Sequence, residues 1–101
     1  MNQSKVKEEV LERLSKVIDA EVGISIVDLG LIYGIEYSEK QNKVFVKFTL
    51  TTPACPLANT IIEDMKRALE DLPYDVELHL VWEPMWNPSM ISEEGKRRLR
   101  I

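Results

Sequence analysis

The chain has 101 residues, of which 45% are hydrophobic and 30% charged, and this balance fits one domain, residues 1–101, with a single core. The net charge of −4 argues against a nucleic-acid partner, and the sequence contains no apolar run long enough to span a bilayer. The N-terminus lacks the apolar core of a signal peptide, and the lone cysteine favours a reducing compartment, so we expect a cytoplasmic protein.

The first predicted element is an amphipathic helix from Ser4 to Ala20, with Ser4 as its N-cap. Its apolar side chains recur at steps of three and four, and they are Val6, Val10, Leu11, Leu14, Val17 and Ile18. The stretch from Glu21 to Gly30 breaks this pattern with glycines and acidic residues. We therefore predict a long, partly buried loop there.

Two strands follow, Leu31 to Tyr37 and Lys43 to Leu50, because both are rich in β-branched and aromatic residues. The short polar link between them predicts a hairpin. A second helix is predicted to start at Pro56 and to end before Pro73. The segment from Val76 to Trp82 is predicted to be the third strand.

The predicted fold is therefore a two-layer α+β domain of order α-β-β-α-β with a small, mixed three-stranded sheet. A short C-terminal helix completes it, with Ser89 or Ser92 as the N-cap. The helix between the second and third strands favours a right-handed crossover connection.

The single thiol, Cys55, lies in the segment Thr51-Thr52-Pro53-Ala54-Cys55-Pro56, between a predicted strand and a predicted helix. A helix N-terminus stabilises negative charge, so it lowers a thiol pKa and makes the sulfur a better nucleophile and metal ligand. The hydroxyls of Thr51 and Thr52 can donate hydrogen bonds to the sulfur or its ligand. Cys55 can equally be a small buried residue beneath the helix, and the residues alone leave both interpretations open.

Two blocks of sequence, Asp19 to Tyr33 and Leu50 to Pro56, strongly resemble the metal-sulfur cluster assembly family. The family includes bacterial maturation factors, a phenylacetate-degradation subunit and a eukaryotic targeting subunit. The resemblance runs from about Val6 to Leu99, and it implies an iron-sulfur cluster assembly domain with a role in cluster maturation. It also implies a functional pocket made of Asp19, Glu21, Asp28, Thr51, Thr52 and Cys55.

The chain departs from the family pattern at Ala20, because the family usually has proline between the two carboxylates of Asp19 and Glu21. It also lacks the C-terminal cysteines of the phenylacetate branch, so that branch is disfavoured. The alternative for Asp19 and Glu21 is that they end the first helix in solvent. Asp28 can likewise cap a turn rather than take part in chemistry.

The leading hypothesis is a non-catalytic accessory factor that passes iron-sulfur clusters, or their components, to apo-proteins, with Cys55 as a transient or shared ligand. Stable clusters need about four protein ligands, so a homodimer, non-protein thiols or a partner must supply the others. The expected partners are assembly proteins and apo-protein clients. A pure adaptor role is the close alternative, and a small thiol enzyme with Cys55 as nucleophile is the rival from another class.

The only histidine, His79, lies in the third predicted strand, and alternation makes it face solvent or a helix rather than serve as an obvious base. Four residues near the C-terminus form an aromatic and thioether-rich group: Trp82, Met85, Trp86 and Met90. Core packing is the favoured interpretation of this group, and a protein-docking surface is the alternative.

Overall fold

The computed structural model describes residues 3–19, 22–51 and 58–99. Their elements are α1 (Gln3–Leu14), β1 (Ile32–Ser38), β2 (Lys43–Phe48), α2 (Ala58–Leu69), β3 (Asp75–Leu80), a 3₁₀ turn (Pro88–Met90) and α3 (Glu93–Leu99). The α-β-β-α-β order and the short final helix confirm the sequence prediction. None of the helices in the described residues has both the length and the apolar composition that a membrane-spanning helix needs.

The first helix is shorter than predicted, because α1 ends at Leu14 and not at Ala20. After Leu14 the N–H of Lys16 bonds to the Arg13 carbonyl at 3.2 Å, and that of Val17 bonds to the Leu14 carbonyl at 3.0 Å. These bonds span three residues and close the helix. The Val17 carbonyl then accepts from the N–H of Ile26 at 3.0 Å, so the chain pairs with the following loop.

The start of α1 also corrects the prediction, because Gln3 already belongs to the helix and Ser4 is therefore not its N-cap. The Gln3 amide instead binds the edge of β1. It donates to the Tyr37 carbonyl at 2.6 Å and accepts from the Tyr37 N–H at 3.2 Å. Ile18 lies outside the helix and is 47% exposed, so the predicted apolar stripe is too wide.

The sheet has the order β1-β2-β3 and is mixed, as predicted. β1 and β2 form the antiparallel hairpin, and β2 pairs with β3 in parallel. β2 stops at Phe48 and β3 at Leu80, each two residues before the predicted ends at Leu50 and Trp82. The handedness of the connection through α2 stays a prediction.

Burial alternates across the sheet and shows that it has two different faces. The face that packs into the hydrophobic core carries Ile35, Tyr37, Val44, Val46 and Phe48. The opposite face carries the exposed residues Glu36, Lys47 and His79. With the helices on the buried side, the domain has the two layers predicted from the sequence.

The second helix presents Ile61, Met65 and Leu69 to the core, as its periodicity predicts. It ends at Leu69, before Pro73, as predicted. The N–H of Leu72 bonds to the Leu69 carbonyl at 3.3 Å, so the chain has already turned before the proline. The predicted helix start at Pro56 lies outside the described residues.

The last helix, α3, is capped by Ser92, which is one of the two predicted candidates. The Ser92 hydroxyl accepts a hydrogen bond from the N–H of Gly95 at 3.0 Å, the geometry of an N-cap. Ser89 belongs to the 3₁₀ turn, which is capped by Asn87. The cap thus fixes where α3 begins.

Candidate functional site

The structure describes only three of the six residues of the predicted pocket. Asp19, Asp28 and Thr51 belong to the described residues, whereas Glu21, Thr52 and Cys55 lie outside them. The pocket as a whole therefore stays a prediction. β2 and α2 flank the segment that contains Cys55 along the chain.

Asp19 is almost fully buried, with an exposed fraction of 2%. Its N–H donates to the Ile24 carbonyl at 3.0 Å, and its own carbonyl accepts from Val22 at 3.2 Å and from Gly23 at 2.7 Å. A buried carboxylate is costly unless polar partners compensate it. The alternative that Asp19 ends a helix in solvent is therefore wrong, and Asp19 is an interior feature of the loop.

Asp28 connects the same loop to α3. Its carboxylate oxygen Oδ1 accepts from the Ser92 hydroxyl at 3.0 Å, and its backbone carbonyl accepts from the Ser92 N–H at 2.7 Å. Its own N–H donates to the Ser25 hydroxyl at 3.0 Å. These bonds give Asp28 a structural role in joining the loop to the cap of α3.

Thr49 is a buried polar residue that sequence reasoning missed. Its exposed fraction is 1%. Its N–H donates to the Leu31 carbonyl at 2.9 Å, and its hydroxyl has no hydrogen-bond partner among the described residues. The following Thr51 is half-buried. The strand exit that leads to Cys55 thus carries one buried and one half-buried hydroxyl.

His79 faces solvent from β3, as predicted. Its Nε2 contacts Oε2 of Glu77, and its ring meets the Phe45 ring edge-on at 6.1 Å. Lys43 donates to Oε1 of the same Glu77 at 2.9 Å. These two partners, Lys43 first, hold the pKa of Glu77 below its usual range. Within residues 3–19, 22–51 and 58–99, no group of three or more His, Cys, Asp or Glu residues is arranged to hold a metal ion.

The aromatic and thioether-rich group near the C-terminus divides into buried and exposed members. Trp86 is half-buried against the core and donates from Nε1 to the Leu29 carbonyl at 2.7 Å. Core packing is thus confirmed for Trp86. It is wrong for Trp82 and Met85, which are 41% and 79% exposed.

A comparison with models of protein families shows to which family the chain belongs. A model described as iron-sulfur cluster assembly protein matches residues 7–80, which include β1, β2, α2 and the segment with Cys55. The chain belongs to the iron-sulfur cluster assembly protein family. The match ends at Leu80, so the cap of α3 and Trp86 lie outside the matched residues.

Curated relatives of this family member extend over nearly the whole chain. It is 40% identical over 98 residues to the Fe-S protein maturation auxiliary factor YitW of Bacillus subtilis, covering 95% of both chains. It is 38% identical over 87 residues to the Fe-S protein maturation auxiliary factor SufT of Staphylococcus aureus, covering 84% of this chain and 98% of the relative. Both relatives are thus similar in length to this chain.

A solved structure supports the fold of the domain. A crystal structure of a DUF59 domain, a domain of unknown function, from Bacillus anthracis is similar with a TM-score of 0.90 at 33% identity. The similarity covers 98% of this chain and 95% of that one. This chain therefore shares its α+β architecture with that structure.

Proposed function

We propose that this family member is a non-catalytic accessory factor that passes iron-sulfur clusters, or their components, to apo-proteins. The observation that supports the proposal is the family match over residues 7–80, together with near full-length relatives that are named Fe-S protein maturation auxiliary factors. The cluster is cargo in this role, and no cluster is held permanently. Because the cytosol keeps thiols reduced, a role that needs a reduced Cys55 is compatible with a cytosolic location.

Cys55 is the ligand that we assign to this cargo. It follows β2 and precedes α2, and a thiolate close to a helix N-terminus is stabilised by unpaired N–H groups. The chain contains one cysteine, whereas a cluster needs about four ligands, largely thiolates. Cys55 is therefore a transient or shared ligand, completed by a second copy, a non-protein thiol or a partner.

The remaining predicted residues have different roles in this proposal. Asp19, Glu21, Thr51 and Thr52 shape the surroundings of Cys55. Asp28 acts as a positioning residue, since its carboxylate accepts from the Ser92 hydroxyl and its carbonyl from the Ser92 N–H. The expected partners are assembly proteins and apo-protein clients.

Cluster transfer to an apo-ferredoxin tests this function. The chain is loaded anaerobically with ferrous iron and sulfide, desalted and mixed with apo-ferredoxin, and visible circular dichroism follows the formation of the ferredoxin cluster. We expect transfer from the wild type and loss of transfer in Cys55→Ser. Equal transfer by Cys55→Ser would overturn the ligand role and leave an adaptor role.

A matched control moves the thiol instead of removing it. The double variant Cys55→Ser with Ser4→Cys keeps one thiol per chain but places it on the exposed surface of α1. We expect this variant to transfer as poorly as Cys55→Ser, because position and not thiol content matters. Transfer by the relocated thiol would show that any exposed cysteine suffices.

A further inference from the structure

Met85 carries the most exposed of the large hydrophobic side chains that the structure describes, with an exposed fraction of 79%. Leu80 and Trp82, which are 39% and 41% exposed, precede it along the chain. A thioether differs from a hydrocarbon side chain because its sulfur is polarizable and can be oxidised. Met85 therefore presents solvent with a reactive atom as well as an apolar surface.

The backbone on either side of Met85 is held by hydrogen bonds to distant parts of the chain. The Tyr33 hydroxyl donates to the Pro84 carbonyl at 2.7 Å, and the Trp86 Nε1–H donates to the Leu29 carbonyl at 2.7 Å. Met85 lies between these two anchored residues. Its exposure is therefore a feature of the folded domain and does not depend on opening of the segment.

The two other methionines that the structure describes are protected in different ways. Met65 packs in the core from α2 and is 0% exposed. Met90 is half-buried, and its Sδ accepts from the Tyr33 hydroxyl at 3.5 Å. Burial keeps an oxidant away from sulfur, and a donated hydrogen bond competes for the sulfur lone pair. The fold thus makes Met85 the most accessible of these three sulfurs.

Hydrogen peroxide is the class of oxidant that such a sulfur takes. The Met85 sulfur attacks one peroxide oxygen, the O–O bond breaks as the S–O bond forms, and the second oxygen leaves as water after a proton shift. Sulfur loses two electrons and the peroxide gains them, so the products are methionine sulfoxide and water. Methionine sulfoxide reductases, which draw electrons from thiols, reverse the change.

We infer that Met85 is a reversible peroxide modification site of this domain. Oxidation converts its side chain to the sulfoxide and leaves the fold intact, because the exposed thioether is not part of the buried core. Met90 and Met65 react only slowly while the chain is folded. The inference does not rest on the proposed function, since it depends on the exposure and contacts of the methionines alone.

The modification changes the chemistry of an exposed apolar segment. A thioether is apolar, whereas a sulfoxide is polar and accepts hydrogen bonds. The side chain that changes is the most exposed of the group formed by Leu80, Trp82 and Met85. We therefore expect the oxidised chain to be retained less by a hydrophobic-interaction column. Met85→Gln, which places a polar side chain there without oxidation, should show a similar loss of retention.

Peroxide oxidation followed by mass spectrometry tests the site. The chain is used as Cys55→Ser, so that oxidation of the thiol does not contribute to the added mass. Fragment ions must separate Met85 from Met90, because both lie in the tryptic peptide 68–96, whereas Met65 lies in the peptide 48–66. We expect Met85 to be oxidised on the order of tenfold faster than Met90 or Met65. Met1, which lies outside the described residues, falls in a separate peptide and does not enter the comparison.

Matched variants and an unfolded control show whether the fold sets this order. Met85→Leu should remove the fast addition of one oxygen atom, whereas Met90→Leu should leave it unchanged. In concentrated urea, where all three sulfurs are exposed, Met85, Met90 and Met65 should react at similar rates. A fast addition that persists in Met85→Leu, or equal rates for the three residues in the folded chain, would overturn the inference.

Reduction and circular dichroism test the remaining parts of the inference. The chain oxidised at Met85 should keep the near-ultraviolet spectrum of the untreated chain. Reductases for both sulfoxide epimers, supplied with a thiol, should remove the added oxygen from the folded chain. Loss of the near-ultraviolet spectrum on oxidation of Met85 alone would overturn the claim of an intact fold. Failure of the reductases on the folded chain would overturn the claim of reversibility.

Discussion

Ser92 and Asp28 are joined by two hydrogen bonds, one from the Ser92 hydroxyl to the Asp28 carboxylate at 3.0 Å and one from the Ser92 N–H to the Asp28 carbonyl at 2.7 Å. The same hydroxyl caps α3 by accepting from Gly95. The Ser92 side chain therefore caps the N-terminus of α3 and also bonds the loop that contains Asp28.

Ser92→Ala should lower the free energy of unfolding by about 1 kcal/mol, because it removes the N-cap oxygen and the donor to Asp28. Asp28→Asn keeps an acceptor oxygen, so its loss of stability should be smaller. Urea unfolding of both single variants and the double variant measures the coupling. Additive losses would contradict the joint role.

Asp28→Asn also tests whether Asp28 only positions the loop or whether its carboxylate charge acts on the cargo. If Asp28 only positions the loop, the variant should transfer clusters to apo-ferredoxin at close to the wild-type rate. A loss of transfer with stability and fold unchanged would assign the carboxylate charge a direct role in handling the cargo.

Gly30→Ala should be strongly destabilising. Gly30 has φ of +79°, and an added Cβ would lie 2.2 Å from the carbonyl oxygen of Met90. We expect a loss of roughly 3 kcal/mol or more, from backbone strain and displacement of the Met90 backbone. Gly23→Ala is the control, with φ of +89° and nothing described within 4 Å of the added atom. It should lose only about 1–2 kcal/mol, and equal losses in chemical denaturation would disprove the steric contact.

Asp71→Asn should remove part of the acid sensitivity of the fold. The side-chain hydrogen bond from Arg13 holds the pKa of Asp71 below its ordinary value. Because the folded-state pKa is the lower one, the pair stabilises the fold above the unfolded value of about 3.9. That contribution is lost as the pH falls through the folded-state value.

The measurement for this pair is unfolding free energy as a function of pH. Asp71→Asn should be less stable than the wild type at pH 7, and the difference should shrink as the solution is acidified. Arg13→Met should behave in the same way and should add little to Asp71→Asn. A constant difference across the acid range would mean that the pair does not couple stability to protonation.

Periodic burial made most of the fold predictable from the sequence. Val6, Val10 and Leu14 on α1 and Ile61, Met65 and Leu69 on α2 are buried as their spacing indicates. The boundary error at the end of α1 lies where bonds to the following loop replace the local pattern. At Val17, for example, an apolar residue at helical spacing gives its carbonyl to Ile26 in the loop.

The candidate site was less predictable from the sequence, because a residue type does not reveal its partner. The family resemblance assigns Asp28 to the pocket of Cys55, which stays a prediction, and it gives no sign that the Asp28 carboxylate accepts from Ser92, far along the chain. Nothing in the residue type of Thr49 marks it as buried, yet its exposed fraction is 1%. Contacts of this kind depend on how the loop and α3 fold back, and no local spacing encodes them.

The central claim is that Cys55 is a shared ligand for transient iron-sulfur cargo, and anaerobic titration with ferrous iron and sulfide tests it most directly. Optical spectra and native mass are recorded for the wild type, Cys55→Ser and the relocated-thiol variant. We predict iron uptake by the wild type, with a thiolate charge-transfer band and a stoichiometry showing ligands shared between chains or with added thiol. Equal iron uptake by Cys55→Ser would contradict the claim.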